Sequence, residues 1–264
     1  MGQTVFAVVS TLLGLALGNL ATVLVTRYEN PELTPGPPHS ACPHCGRRLT
    51  WRETVPVLGF LLLRGRCRGC GEPISLRYPV IETVTGLWGL GVALAYGPGA
   101  AWAIYLGFGW LFVVLSFIDF EHFLLPDIYT LPGAAAALVC SALFLNTGGF
   151  WVRVLPGLTG GLIGAGGFWL IHAGYRRLRG MEGLGLGDVK LMLVIGFLLG
   201  SRSLPFVLLA AAVTALLASF WYLARPDSQG GRTRVPFGPF LCLGAMLWIL
   251  AGERIWSLYL AWTA

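Results

Sequence analysis

The sequence predicts an all-α polytopic membrane protein of about eight transmembrane helices, and three observations carry that prediction. Hydrophobic residues make up 56% of the 264 residues and charged residues only 11%, with a mean hydropathy of +0.73; no soluble core of this size absorbs such an apolar load. Apolar stretches of near-spanning length recur along the chain, separated by Gly, Pro and charged breaks. Lys and Arg gather in alternate breaks, the asymmetry that orients membrane helices. The same composition excludes a disordered chain. The formal net charge of +6 belongs to topology, since no basic helix or aromatic-basic patch points to nucleic acid.

The apolar windows fall at 5–26, 79–96, 101–117, 128–145, 152–175, 189–200, 204–224 and 237–250. The first has no Lys or Arg ahead of it and no small-residue cleavage site, so it reads as a retained anchor. The sixth and the last are short against the roughly 20 residues of a full span, and the sixth has room to extend into the glycines before it. Gly157, Gly160, Gly161, Gly164 and Gly167 mark the fifth window as a helix that packs closely, because small residues let backbones approach in lipid.

Arg27, Arg47, Arg48, Arg52, Arg64, Arg66, Arg68 and Arg77 follow the first helix. Arg176, Arg177 and Arg179 follow the fifth, and Arg225, Arg232 and Arg234 the seventh; the alternate breaks hold little beyond Arg153 and Arg202. The odd-numbered loops are therefore expected in the cytoplasm, with both termini outside.

The one sizeable polar segment, 27–78, contains Cys42-Pro-His-Cys45-Gly and Cys67-Arg-Gly-Cys70-Gly. Each such turn aims two thiolates at one ion, and the following glycine permits the tight backbone, so the pair predicts a zinc-knuckle loop with Cys42, Cys45, Cys67 and Cys70 as ligands. Disulfides are the competing reading, and a reducing cytoplasm disfavours them. Four thiolates close the metal's shell, which makes the zinc structural and leaves His44 a bystander. So short a loop needs such a staple to hold its shape. Cys140 and Cys242 lie in apolar helices and read as inert thiols.

Two aspartates stand at the ends of apolar runs. Asp119 closes the third, within Ser116-Phe-Ile-Asp-Phe-Glu-His, and Asp188 opens the sixth, within Gly183-Leu-Gly-Leu-Gly-Asp-Val-Lys190. An acidic group at membrane depth is costly and is a functional candidate by default. Gly183, Gly185 and Gly187 leave a side-chain-free ribbon beside Asp188, suited to the approach of an extended peptide, and Lys190 lies close by in sequence. Asp188 as a helix N-cap is the structural alternative, and Asp127 reads simply as an N-cap. Glu121 and His122 read as solvated turn residues, and His172 as a packed or hydrogen-bonded one. Two carboxylates sharing a proton can activate water and polarise an amide carbonyl, so Asp119 and Asp188 are expected to be a proteolytic pair on the cytoplasmic side.

The combination of Gly185-Leu-Gly-Asp188-Val-Lys190, Phe-Ile-Asp119, Leu-Pro-Asp127, the paired cysteine turns and Arg77-Tyr-Pro-Val-Ile-Glu82 resembles the bacterial type IV prepilin peptidases over nearly the whole chain. The glycine-aspartate motif alone would also fit preflagellin peptidases and presenilin-like enzymes, which lack the cysteine loop. The resemblance implies an intramembrane aspartic endopeptidase of the bacterial inner membrane. Its substrates would be prepilins or pseudopilins, cut after a glycine to remove a short basic leader, and S-adenosylmethionine would serve to N-methylate the new terminus. It implies Asp119 and Asp188 as the catalytic residues, Gly185, Gly187 and Lys190 as their support, and Glu82 as support for substrate or methyl transfer. The chain departs from the family around Gly18-Asn19-Leu-Ala-Thr and at Trp51-Arg-Glu-Thr-Val-Pro56, which leaves the peptidase reading untouched.

The expected organisation is a first transmembrane helix at 1–26, a cytoplasmic zinc-binding loop domain at 27–78 and a membrane-embedded aspartic peptidase domain at 79–264. Its partners would be the pilin substrate and membrane lipid, whose anionic headgroups suit the basic loops. Two other classes compete: a non-enzymatic scaffold that docks an assembly partner through its zinc knuckles, and a proton-coupled transporter, for which the chain shows no internal repeat.

Overall fold

The computed structural model describes residues 2–29, 42, 44–50, 52–146, 148–180, 184–223 and 235–263. Trp51, Gly183, Arg225, Arg232 and Arg234, used above, lie outside the described residues. Among the described residues there are nine α-helices and no β-strand. They are α1 Gly2–Glu29, α2 Leu58–Leu62, α3 Arg77–Tyr96, α4 Ala100–His122, α5 Asp127–Cys140, α6 Phe150–Arg179, α7 Leu186–Leu199, α8 Leu204–Leu223 and α9 Gly238–Thr263. Eight of them correspond to the eight apolar windows, and α2 is a five-residue helix within the polar loop.

Among the described residues, six helices are long and apolar enough to cross a membrane: Gly2–Tyr28, Arg77–Tyr96, Ala100–His122, Asp127–Leu145, Phe150–Leu178 and Ser201–Phe220. Leu162, Ile163, Leu170 and Ile171 stand exposed on α6, as expected of a surface whose solvent is hydrocarbon. The chain is a multi-pass membrane protein. The sixth apolar window is short as expected: α7 has 14 residues and begins inside the glycine stretch, at Leu186. In α9 the apolar part, Gly238–Gly252, is also short, but helical hydrogen bonding carries on past it to Thr263.

Local chemistry sets where these helices stop. Gly180, with φ 66°, ends α6 and donates its N–H to the carbonyl of Arg176, while Gly200, with φ 77°, ends α7. Left-handed backbone is open to glycine at little cost. Asp127 is not the N-cap of α5. Pro126, in extended backbone, takes that position, and Asp127 becomes the first helical residue.

The chain divides into two compact units, Met1–Val114 and Leu115–Ala264. In the first, α1 lies along α3 at close range. The Ser10 hydroxyl donates to the Gly89 carbonyl at 2.6 Å, and a Cβ on Gly18 would lie 2.6 Å from the Cα of Glu82. Trp102 and Trp110 donate their indole N–H groups to Ser10 and to the Leu17 carbonyl, each at 2.8 Å, so α1 is held by polar bonds as well as by contact.

In the second unit one of the two shortest long helices is the central one. Leu191, Met192, Val194 and Ile195 of α7 are completely buried, and α5, α6 and α9 pack around it. Gly160 of α6 and Gly196 of α7 meet back to back, with no room for a Cβ on either. Gly157, Gly161 and Gly164 also face α7, whereas a Cβ on Gly167 would meet nothing; its packing role is not realised. This clamp holds the later turns of α7 against α6.

Candidate active site

Asp119 lies in the last turn of α4 and is 5% exposed. Its own helix presents it at the electronegative C-terminal end, an unfavourable place for an anion. The compensation comes from α9, whose first residue, Gly238, donates its backbone N–H to Asp119 Oδ2 at 3.1 Å. The positive end of one helix thus faces the acid that closes another. Glycine is required there, since a Cβ on Gly238 would lie 2.6 Å from the same oxygen.

Asp188 is not an N-cap either; Gly185 occupies that position and Asp188 is the third residue of α7. Its carboxylate accepts from the Gly185 N–H, the reach-back of a capping box. Both acids are therefore anchored by a glycine N–H at the start of a helix. Asp188 feels the charge of Asp119, and the Cys242 sulfur feels both, which puts the two carboxyls within electrostatic reach around one point. Leu125 sits between Gly187 and the Gly238 anchor, 3.0 Å from where a Gly187 Cβ would lie and 3.3 Å from a Gly238 Cβ. Gly187 is itself helical, so its missing side chain admits Leu125 rather than extending a ribbon of loop.

Lys190 points away from this pair. Its Nζ lies 2.5 Å from Asp127 Oδ1, tying the first turn of α7 to the first turn of α5. His172, buried on α6, donates Nδ1–H to the Leu184 carbonyl at 2.6 Å and so tethers the backbone that leads into Gly185. A lone polar ring in an apolar helix was its sequence signal. Gly238 was missed by the sequence reading, although Gly238-Pro239 is a recognisable helix start. Cys242, read as inert, is buried beside the two acids and hydrogen-bonds Ser116, whereas Cys140 is only half-buried.

The cysteine loop, in the first unit, forms a second site. The Sγ atoms of Cys42, Cys45, Cys67 and Cys70 all lie within 4.8 Å of one another, with Cys42–Cys70 at 3.8 Å and Cys45–Cys67 at 3.9 Å. A tetrahedron with metal–sulfur bonds of about 2.3 Å has edges of about 3.8 Å, so the donor set fits a metal ion. The two turns repeat one pattern. Cys42 N–H bonds Arg47 O and Gly46 N–H bonds Cys42 O; Cys67 N–H bonds Glu72 O and Gly71 N–H bonds Cys67 O. Backbone N–H groups of Cys70 and Gly69 pull the Cys67 thiol down to about 6, towards the thiolate a metal binds. His44 is exposed and outside the cluster.

Glu53 braces this loop. Its carboxylate takes the Thr50 N–H at 2.8 Å and Arg47 Nη2 at 2.6 Å, contacts that hold it below the usual carboxylate range. Glu82, 7% exposed on α3, lies apart from the aspartates in sequence and accepts the Val57 N–H at 2.7 Å.

Comparison with known proteins bears on both sites. Residues 12–96 match the Bacterial Peptidase A24 N-terminal domain, and residues 105–220, which include both aspartates, match the Type IV leader peptidase family. The prepilin leader peptidase/N-methyltransferase of Aeromonas hydrophila is 38% identical over 224 residues, 84% of this chain and 75% of that protein. The proteins of the same name from Pseudomonas putida and Burkholderia pseudomallei are 33% and 35% identical. Each alignment covers 97% of this chain, and respectively 94% and 88% of the relative. No solved structure matches the chain. With relatives this similar along nearly its whole length, and with the peptidase match covering both aspartates, the chain belongs to the type IV leader peptidase family.

Proposed function

We propose that this chain is an intramembrane aspartic endopeptidase that removes the short basic leader from type IV prepilins or pseudopilins after a glycine, and that it N-methylates the new terminus. The observation that carries the reading is the convergence of Asp119 and Asp188, each held by a helix-initiating glycine N–H, in a chain of this family.

The chemistry follows from the pair. One carboxylate takes a proton from water as its oxygen adds to the scissile carbonyl carbon, and the other, protonated, donates to the carbonyl oxygen. Collapse of the tetrahedral intermediate breaks the C–N bond, and the departing amine takes a proton from the pair. The product is a leader carboxylate and a free pilin terminus. Gly185 and Gly238 supply the anchors that keep each acid in one rotamer; Gly187 and Lys190 act at one remove, through Leu125 and Asp127. S-adenosylmethionine supplies the methyl group when bound.

The four-cysteine cluster is a structural zinc site in this reading, since four thiolates leave no position for substrate. Residues 1–26 anchor the chain, 27–78 form the zinc loop and 79–264 carry the peptidase. The membrane is the bacterial inner membrane, with the paired acids and the zinc loop on its cytoplasmic side, where Lys and Arg concentrate. The substrate's apolar helix lies among lipid-facing helices and its leader reaches the acids.

Purified Asp119→Asn and Asp188→Asn variants with the melting temperature of the parent are expected to lose prepilin cleavage in detergent. Cleavage retained by either folded variant removes the aspartic mechanism.

A further inference from the structure

The five residues of α2 divide their side chains between two faces. Leu58, Leu61 and Leu62, spaced i, i+3 and i+4, share one side of the helix and are 57%, 61% and 75% exposed. On the other side a Cβ on Gly59 would strike the Glu53 carbonyl oxygen, and the Phe60 ring lies 3.1 Å from where a Gly65 Cβ would be. The helix thus packs on its own loop through one face and turns the leucines outwards. None of the six spans includes them.

Two hydrogen bonds fix the depth of this face. The 20 residues of α3 are just enough for the roughly 30 Å of a bilayer's hydrocarbon, so Arg77 marks its edge. Glu82, about five residues further in, or roughly 8 Å at 1.5 Å per residue, accepts the Val57 N–H at 2.7 Å. Asn19, about nine residues, or roughly 14 Å, before the end of the α1 span at Tyr28, donates to the Thr54 carbonyl at 2.9 Å. The chain from Thr54 to Val57 is therefore drawn down alongside the two spans. Because α2 starts at the next residue and is only about 8 Å long, its leucines stay level with the headgroups and the first acyl carbons. Left-handed backbone brackets the helix, φ 61° at Val57 and 51° at Arg64, and turns the chain into it and out again. The N–H groups of Gly59, Leu61 and Leu63 bond the carbonyls of Val55, Val57 and Gly59, the internal satisfaction that contact with lipid demands.

Charge suits the same place. Arg64, Arg66 and Arg68 follow the helix, are exposed, and make no ion pair among the described residues. An apolar face with arginines beside it is the composition of a helix that lies in the plane of a membrane surface, its apolar side about 5–10 Å deep. A protein partner would have to reach this face through the lipid around α1 and α3.

We propose that α2 is an interfacial helix: Leu58, Leu61 and Leu62 insert between headgroups and acyl chains of the leaflet at the C-terminal end of α1, and Arg64, Arg66 and Arg68 reach its phosphates. The segment between α1 and α3 is then only partly a solvated loop. Its cysteine turns are held at the membrane surface by a seat of their own.

The test places the full chain, with its metal bound, in nanodiscs containing a phospholipid that carries a diazirine in the upper part of its acyl chain. After photolysis, mass spectrometry of the peptides is expected to find label on residues 58–62 of the parent protein as well as on the exposed residues Leu170 and Ile171 of α6. Label on α6 with none on 58–62 overturns the proposal. In the Leu58→Ser/Leu61→Ser/Leu62→Ser variant, label on this segment is expected to fall about tenfold while α6 labelling and metal content stay at parental levels. Undiminished label in that variant overturns the proposal too. A photoreactive p-benzoylphenylalanine incorporated at Leu62 in intact cells separates the other occupants. A lipid adduct is expected; an adduct to a second copy of this chain, or to any other protein, makes the face a protein-docking surface and overturns the membrane assignment.

Discussion

The imidazole of His172, on α6, donates to the carbonyl of Leu184, 2.6 Å away and one residue before the N-cap of α7. It is a buried hydrogen bond between a rigid helix and the backbone that delivers Asp188. Leu184 leads into Gly185, whose N–H anchors the acid, so the imidazole is a positioning residue that acts on Asp188 through one peptide unit. His172→Ala leaves a buried carbonyl unpaired at a cost of about 1–3 kcal/mol. Its kcat for prepilin cleavage is expected to fall roughly tenfold or more with KM little changed, and His172→Asn to recover part of the loss. Unchanged kcat in His172→Ala would show that the loop holds its shape without this tether.

The Gly160–Gly196 contact should be among the least tolerant places in the chain. A larger residue at either position drives a side chain into the opposing backbone. Gly196→Val is expected to cost about 1–3 kcal/mol or more, read as a lowered melting temperature in detergent. Gly167→Ala, at a position facing open space, should change stability by about 0.5 kcal/mol at most.

Lys190 and Asp127 should behave as a unit. Their side chains are 33% and 59% exposed, so screening limits the pair to about 1 kcal/mol or less. In a double-mutant cycle, Lys190→Ala and Asp127→Ala should each lower cleavage by about fivefold at most, and the double variant should lose little more than either single one. Fully additive losses would mean that Lys190 acts on the site by some route other than Asp127.

Removal of the cluster should act through structure. The Cys42→Ser/Cys70→Ser double variant is expected to lose bound zinc and to melt lower than the parent, as determined by elemental analysis and calorimetry under reducing conditions. Parent protein purified without any metal under those conditions would refute the zinc assignment.

Glu53 offers a gentler perturbation of the same loop. Its carboxyl sits below the ordinary value of 4.5, held there by the Thr50 N–H and by Arg47. Its stabilisation is therefore complete above that ordinary value and is lost as pH falls through the depressed one. Glu53→Gln should speed zinc loss to a chelator by about three- to tenfold, with a ratio that stays flat between about pH 6 and 8. A ratio that swings across that window would point to a different titrating group.

The amino-acid sequence by itself determined the helical membrane architecture, the short sixth span and the pairing of the cysteine turns. Each is a local property: burial in lipid is decided window by window, and a two-residue gap between cysteines sets where two thiolates aim. It also marked the two aspartates, because an acid at membrane depth stands out against apolar neighbours without any knowledge of what it meets. What they meet was decided only by tertiary structure. Gly238 reaches Asp119 across 119 residues, Lys190 finds Asp127 across 63, and Val57 meets Glu82 across 25. Those encounters depend on which helix faces which, and glycine contacts such as Gly160 with Gly196 settle that question through shape. Hydropathy assigns every apolar face the same preference for lipid or for another helix, so no pattern along the chain can choose between them.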